Sequence, residues 1–483
     1  MSIQLSKWAG RPYVTIIGEL DKTIFKVIDA VTSYKIKNFE HIDNTIYKCP
    51  KCGFWITVMK ARSDYCKRCN TLCETGTWDG MIRLLSKTRQ GKWYFPIGLI
   101  SNVETALNAM GVQIEITNWP DRPNKNDSGL GLTWTGPTMR THQDEAITKA
   151  LSKLIKGRGV VLEMPTGSGK TMTAMKLMAE LNTTTLILVH KKNLMEQWEN
   201  VIRNVLEWEP ALYGDNNKDI GPITIGMVQS IANAAAFPMN LFNFVITDEC
   251  HHSPNDQTYK SLMKSDAYYK LGLSATPKRE DGNELKMFAA IGGLVSVTSV
   301  KELIKNGTLA KPTIQFINAP TAFEGKNYAE SYKNQITLND SRNRLIAQKA
   351  YELQNKGMTV LITVNQIKHG KTLEQMIKGS KFVHGKTKKD EQHDAMEKLA
   401  NGKLKIMIST LLGEGWDFQG LNAIILAGGG KSEVALIQKV GRVMRTSKDK
   451  KEALIVEIRD NGKWMREHSQ LRTMKLVEMY GNN

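Results

Sequence analysis

From residue 138 onward the apolar residues fall into two alternating rhythms. QDEAITKALSKLIKG, residues 143–157, sets Ala146, Ile147, Ala150, Leu151, Leu154 and Ile155 on one helical face, with Gly157 as a stop. Short apolar runs then alternate with amphipathic stretches. GVVLEM precedes TMTAMKLMAEL, TTLILVH precedes NLMEQWENVIRNV, and PITIGMV, FNFVIT and YKLGLS follow. Unbroken apolar runs between helices predict parallel strands covered on both faces. The rhythm pauses over residues 311–340 and resumes with MTVLITVN, KFVHG, LKIMIST, NAIILAG and EALIVEI. Residues 1–136 show no such rhythm. The expected fold is α/β: two tandem units over 137–318 and 319–483, behind an N-terminal α+β accessory unit over 1–136.

Composition narrows the class. At 483 residues the chain has room for about three domains. A hydrophobic share of 41% and a charged share of 24% are those of a soluble globular protein. No apolar run approaches the ~20 residues that span a bilayer, and MSIQLSKWAGRPY lacks the apolar core of a secretory signal. The expectation is a cytoplasmic monomer (in the host cytoplasm if phage-encoded) with no membrane partner. A net charge of +18 favours a polyanion, and nucleic acid is the commonest. A solvated basic surface is the alternative.

VVLEMPTGSGKT, residues 160–171, follows one expected strand and opens a helix. In Pro165, Thr166, Gly167, Ser168, Gly169, Lys170 and Thr171 this is a phosphate loop. The glycines let backbone N–H groups approach phosphates, Lys170 reaches the β- and γ-phosphates, and the Thr171 hydroxyl suits Mg²⁺. Met164 departs from the strict pattern, which has Gly or Ala there.

VITDECHHSP, residues 245–254, places Asp248 and Glu249 at the end of an apolar strand. In a P-loop protein such a pair holds Mg²⁺ through Asp248 and orients the attacking water through Glu249. A zinc site here has no nearby residue to complete a ligand set. As a nucleophile Cys250 is disfavoured, because neighbouring acids raise a thiol pKa. His252 is open to a structural reading.

The DECH string is one of the motif II variants of superfamily 2 helicases, and the resemblance runs over about residues 138–460. RTHQDEAI resembles the adenine-reading segment, which implies Arg140 and Gln143 at the nucleotide. LILVHKKNLMEQW resembles motif Ia and ITIGMVQS the next DNA-facing motif. LGLSATPKREDG carries motif III as Ser274, Ala275 and Thr276, coupling groups together with His251. The Arg279–Glu280–Asp281 that follows is similar to the XPB-like branch. VLITVNQIKHGKTL resembles motif IV, STLLGEGWDFQGL motif V with Gly415 and Asp417, and QKVGRVMR motif VI with Gln438, Arg442 and Arg445. The resemblance implies two RecA-like domains with ATP between them. The two arginines, three residues apart on one expected helix, share a face and suit charge developing on a γ-phosphate.

Loops after parallel strands offer phosphate contacts without sequence readout. The candidates are His190, Lys191, Lys192, Gln229 and Ser230, then Asn365, Gln366, Ser409 and Thr410; each is equally readable as a solvated loop or cap. Near the N-terminus, CPKC (49–52) and CKRC (66–69) are separated by residues 53–65. Cys49, Cys52, Cys66 and Cys69 predict a closed tetrahedral zinc ribbon over about 47–75, with Cys73 spare. Lys48, Lys51, Lys60, Arg62, Lys67 and Arg68 around it suit DNA; a brace between domains is the alternative. GTWDGMIRLLSKTRQGKWYFPIGLI resembles the N-terminal DNA-binding domain of UvsW-type phage helicases, with Trp78 and Arg83 as candidates. The ribbon departs from that pattern.

Together these imply an ATP-dependent DNA helicase or translocase using ATP, Mg²⁺ and Zn²⁺ and acting on branched double-stranded DNA. The UvsW-type likeness implies replication, recombination and repair as the setting and 3′→5′ movement. Three rivals stand beside it: a restriction-system motor subunit, an RNA helicase, and a zinc-ribbon DNA-binding protein with a dead ATPase.

Overall fold

The computed structural model describes residues 2–35, 45–48, 55–57, 74–77, 81–123, 129–252, 256–277, 283–411, 420–446 and 450–481. Three sheets organise most of the chain. In the first lobe an eight-stranded sheet runs Asn217–Lys218, Ala211–Gly214, Ile223–Met227, Thr185–Val189, Phe244–Thr247, Tyr269–Ser274, Val160–Glu163, Gly293–Ser296. Every pairing in it is parallel except the short edge hairpin of Ala211–Gly214 with Asn217–Lys218. Its strands are apolar on both faces because helices cover both. Leu162, Ile187, Ile246 and Leu271 point into one core; Val161, Leu186, Leu188 and Val245 point into the other.

In the second lobe a six-stranded sheet runs Lys311–Asn318, Glu452–Arg459, Ala423–Leu426, Val360–Thr363, Ile406–Ser409, Lys381–Val383, and all of its pairings are parallel. This corrects one boundary. Lys311–Asn318 is the edge of the second sheet, and Leu303, Leu309 and Ala310 already pack in its core. The chain therefore enters the second lobe near residue 299, not 319. The strand escapes a periodicity reading because it lies at an edge, carries Pro312 and is only partly covered. The first lobe also begins earlier than expected: the Leu130 and Leu132 amides donate to Asn182 Oδ1 and Leu132 joins its core.

The N-terminal unit is α+β. Its five-stranded sheet runs Gln113–Thr117, Ser2–Lys7, Tyr13–Ile17, Trp93–Pro96, Ser86–Lys87. Helices Lys22–Val31 and Ile100–Ala109 cover the core of Leu5, Val14, Ile28, Phe95 and Val103. That core extends into the first lobe through Ala289, with Leu285 and Phe288 packed against it. Gly98 sits so close to the helix Glu284–Ala290 that a Cβ there would lie 2.1 Å from the Phe288 carbonyl oxygen. Arg158–Glu104, at 2.7 Å, also joins the two units.

A separate antiparallel sheet joins Thr45–Lys48 to Trp55–Thr57 on one side and Glu74–Thr77 on the other, with Lys48 opposite both Trp55 and Glu74. The five clustered cysteines lie outside the described residues, as do Trp78, Arg279–Asp281, Gly415 and Asp417. Among the described residues no group of three or more His, Cys, Asp or Glu is placed to hold a metal, and no helix is long and apolar enough to cross a membrane.

Candidate nucleotide site between the lobes

The loop between Val160–Glu163 and the helix Lys170–Leu181 holds Gly167 at φ +85° and Gly169 at φ +90°, where a side chain would be strained. Space matters equally. A Cβ on Gly169 would lie 2.2 Å from Gln143 Nε2, and one on Gly167 would lie 3.0 Å from Leu309 of the second lobe. Met164 is fully buried in the first core, so the departure from a small residue adds packing beneath the loop. The Met164 carbonyl accepts from Lys170 Nζ at 3.3 Å.

Gln143 braces the loop from the side. Its Nε2 donates to the carbonyls of Ser168 (3.3 Å) and Gly169 (3.4 Å), and its Oε1 accepts from the Arg140 amide at 2.8 Å. The amide thus spends its polar atoms on the phosphate loop and on the start of its own helix, rather than facing outward toward an adenine edge. His142, which sequence reasoning missed, places Nε2 2.9 Å from the same Ser168 oxygen. Ser168 is buried under the loop.

Asp248 ends the strand Phe244–Thr247 and is 6% exposed. Its Oδ1 accepts from the Glu249 amide at 2.9 Å and its Oδ2 from Trp198 Nε1 at 2.8 Å. Burial, and then the Glu249 charge, push its carboxyl up to about 6. A cation beside it would reverse both effects, which fits a Mg²⁺ ligand. Trp198 is the second residue the sequence reading passed over. It lies on the apolar face of the helix Lys192–Leu206 with Leu194, Met195 and Ile202 and reads there as core. The available signal was its N–H, which needs a partner when buried.

Glu249 adopts φ +45°. His251 Nδ1 lies 3.3 Å from Glu249 Oε2 and 3.2 Å from Ser274 Oγ, which also accepts from the Thr276 amide at 3.1 Å. The strand ends carrying Glu249 and Ser274 are therefore joined through one imidazole. Burial and the two acids push the Cys250 thiol well up, and it is fully enclosed, so it has no nucleophilic character. The His252 ring packs against His251 and His190, with centroids 4.3 and 5.0 Å apart.

The second lobe closes the site. A cavity of about 470 Å³ is lined on one side by Arg140, Gln143, Thr166, Gly167, Gly169, Lys170, Thr171, Asp248 and Glu249, and on the other by Gln438, Arg442 and Arg445. Its size falls in the range of small-molecule sites. Pro165 and Ala275 line the adjoining cavity instead. One expectation changes here. The helix Glu433–Val443 stops before Arg445, which instead forms an antiparallel bridge with Leu309. A shared helical face is therefore not what brings Arg445 to the cavity. The strand-like bridge does so, while Arg442 arrives from the last turn. At Gly441 the helix backbone passes so near Thr166 that a Cβ would lie 2.5 Å from the Thr166 Cβ.

The strand-contacting candidates fare unevenly. Lys191 and Gln229 are exposed, Ser230 and Thr410 half-buried, and Lys192 pairs with Asp215. Ser409 is 1% exposed, and its hydroxyl accepts from the Leu411 amide at 2.9 Å, so burial and capping take it out of the contact set. Asn365 donates to the Gly428 and Gly429 carbonyls and accepts from Lys439; its polar atoms hold protein. Gln366 Oε1 accepts from Thr337 Oγ1. Arg83 lies near Asp29, at 3.7 Å.

Residues 136–279 match the family described as "Type III restriction enzyme, res subunit", and residues 342–447 match "Helicase conserved C-terminal domain". The two segments contribute the opposite walls of one cavity. The chain is a superfamily 2 helicase. The helicase is similar to the DNA 3'-5' translocase XPB2 of Sulfurisphaera tokodaii, at 27% identity over 67% of this chain and 82% of the relative. It is also similar to the ATP-dependent DNA helicase uvsW of Enterobacteria phage T4, at 24% identity over 82% of this chain and 84% of the relative. A fragment of a putative HsdR subunit of a type I restriction enzyme from Vibrio vulnificus shares the fold, with TM-score 0.57 and 17% identity over 74% of this chain and 70% of that one. Membership makes the helicase an ATP-hydrolysing enzyme with two tandem RecA-like domains.

Proposed function

We propose that this helicase moves along or remodels DNA, with forked and junction DNA as the preferred substrate. The reading is carried by one observation: the phosphate loop and acidic pair of one lobe share a cavity with Gln438, Arg442 and Arg445 of the other. Lys170 and the loop amides hold the triphosphate, Thr171 and Asp248 hold Mg²⁺, and Glu249 orients water. Mg²⁺ supplies charge neutralisation on the phosphates. Arg442 and Arg445 neutralise charge that grows on the γ-phosphate, so closure of the lobes and hydrolysis depend on each other. Gln143 keeps the loop in shape, and the adenine edge is read from the same corner by Arg140. His251, Ser274 and Thr276 relay the state of Glu249 to the neighbouring strand end.

The net charge of +18 supports a polyanionic track, and the likeness to a DNA translocase, XPB2, and a DNA helicase, uvsW, supports DNA as that track. Residues 1–136 serve as the accessory DNA-binding unit, with the zinc ribbon within it. The strand register supports the ribbon: the chain leaves Lys48 into Cys49 and returns from Cys73 into Glu74, which pairs with Lys48. Four thiolates suit a structural zinc. The deciding experiment compares ATP hydrolysis and unwinding on a four-way junction, a fork and an RNA duplex. Stimulation by the junction and fork is expected; activity confined to the RNA duplex overturns the substrate assignment.

A further inference from the structure

Adjoining the nucleotide cavity across Thr166, which borders both, lies a second cavity of about 430 Å³. The first lobe contributes Glu163 to its wall, the second Leu309, Ile437 and Met444, and the helix Lys463–Tyr480 its last two residues, Met479 and Tyr480. The rest of the wall is the crossing between the lobes: Ser296 ends an edge strand of the first sheet, and Val300 opens the helix Val300–Lys305.

One polar group in this wall is unused. Tyr480 is 6% exposed and its ring packs in the core of the second lobe with Leu476. Among the described residues its hydroxyl makes no hydrogen bond, yet it is not one of the polar atoms sealed from solvent, so it opens on the cavity that Tyr480 borders. A buried tyrosine ordinarily gives its hydroxyl a partner. Burial pushes the phenol up, so it stays protonated at neutral pH and has lone pairs to offer a donor.

The charges in the wall all have one sign. Glu163 Oε2 accepts from Ser296 Oγ, and Glu302 Oε2 accepts from the Ser299 amide at 2.6 Å and from Thr298 Oγ1 at 3.3 Å. These donors are neutral, and among the described residues no Lys, Arg or His borders the cavity. Between the two carboxylates and the phenol the wall is aliphatic, with two methionines that adapt to a flexible body. An ammonium brings only donors, which suits two carboxylates and a phenol oxygen. The same charges repel phosphate, so neither a nucleotide nor a nucleic-acid backbone complements this wall.

We propose that this interlobe cavity binds a small aliphatic diamine, with its ammonium groups on Glu163, Glu302 and the Tyr480 hydroxyl and its methylenes against Leu309, Ile437, Met444 and Met479. Such a ligand touches both lobes in the same arrangement that brings Arg442 and Arg445 to the nucleotide cavity. A molecule that binds one arrangement better than the others stabilises it, so diamine and nucleotide strengthen each other's binding. The site goes beyond the helicase reading above and requires no nucleic acid.

The test is isothermal titration calorimetry of the full-length protein with putrescine and with butanediol, its neutral counterpart, without nucleic acid and at constant ionic strength. Putrescine should bind with Kd of about 1 mM or below, and butanediol at least about tenfold more weakly. Glu163→Gln keeps an acceptor for Ser296, and Tyr480→Phe keeps the ring in the core. Each should melt like the wild type and bind putrescine about tenfold more weakly. The ATP analogue AMP-PNP should tighten putrescine binding about fivefold, and putrescine should tighten AMP-PNP by the same factor. Putrescine binding that both folded variants leave at wild-type strength overturns the site, because the amine then sits elsewhere. Equal binding of butanediol overturns the assignment of charge, and putrescine binding that AMP-PNP does not change overturns the link to the nucleotide. Each of these results leaves the helicase reading intact, which the junction, fork and RNA comparison tests separately.

Discussion

Trp198→Phe isolates a single hydrogen bond at Asp248. The phenyl ring fills most of the indole's place in the core, while the 2.8 Å donation from Nε1 to Asp248 Oδ2 is lost. A hydrogen bond to a buried charged group contributes about 1.5–3 kcal/mol, and one pKa unit corresponds to about 1.4 kcal/mol. The carboxyl that stands at about 6 should therefore rise by about one to two units. The sign follows from competition. A proton and Mg²⁺ contend for the same oxygens, so a higher pKa weakens Mg²⁺ binding at neutral pH and moves the acid limb of the rate profile upward. The assay is steady-state ATP hydrolysis from pH 5.5 to 9 at low and high Mg²⁺. At low Mg²⁺ the acid limb should move up by about one to two units and the rate at pH 7 should fall about tenfold or more. High Mg²⁺ should restore most of it. A variant whose profile overlays the wild type at both concentrations refutes the reasoning. A uniform loss that Mg²⁺ does not repair, with a lowered melting point, reduces Trp198 to a packing residue.

Gly98→Ala puts a methyl against the Phe288 carbonyl and should cost about 1–3 kcal/mol, seen as a lower melting temperature and faster proteolysis between the N-terminal unit and the first lobe. Arg342 is fully buried and donates to Asp460 at 2.6 and 3.2 Å; Asp460→Ala strands that charge and should destabilise the fold by about 3–5 kcal/mol in denaturant unfolding. Purified wild type should carry one zinc per chain by elemental analysis and Cys49→Ser should lose it; a wild type without stoichiometric zinc removes the ribbon.

The strands of both lobes were legible because burial on two faces demands unbroken apolar runs such as VVL at 160–162 and AIIL at 423–426. The phosphate loop and acidic pair were legible because phosphate chemistry leaves few choices of residue at few spacings. What escaped has a common physical character. The edge strand Lys311–Asn318 is half covered and so carries no strong pattern. Arg445 reaches the cavity through a bridge to Leu309 that is remote in sequence. His142 and Trp198 act by single hydrogen bonds across the fold, and hydrophobic periodicity is blind to these. Ser409 was misplaced because a hydroxyl at a strand end serves a cap as readily as a ligand.

The claim that the second lobe completes the hydrolytic site is tested most directly by Arg445→Ala, with nucleotide affinity and DNA-stimulated turnover measured on the same preparation. Affinity should stay within about tenfold of wild type, while kcat falls by a factor of about 10³ or more, the effect of removing an arginine that acts on the transition state. Wild-type kcat in that variant would mean that the lobes meet around the nucleotide without sharing its chemistry.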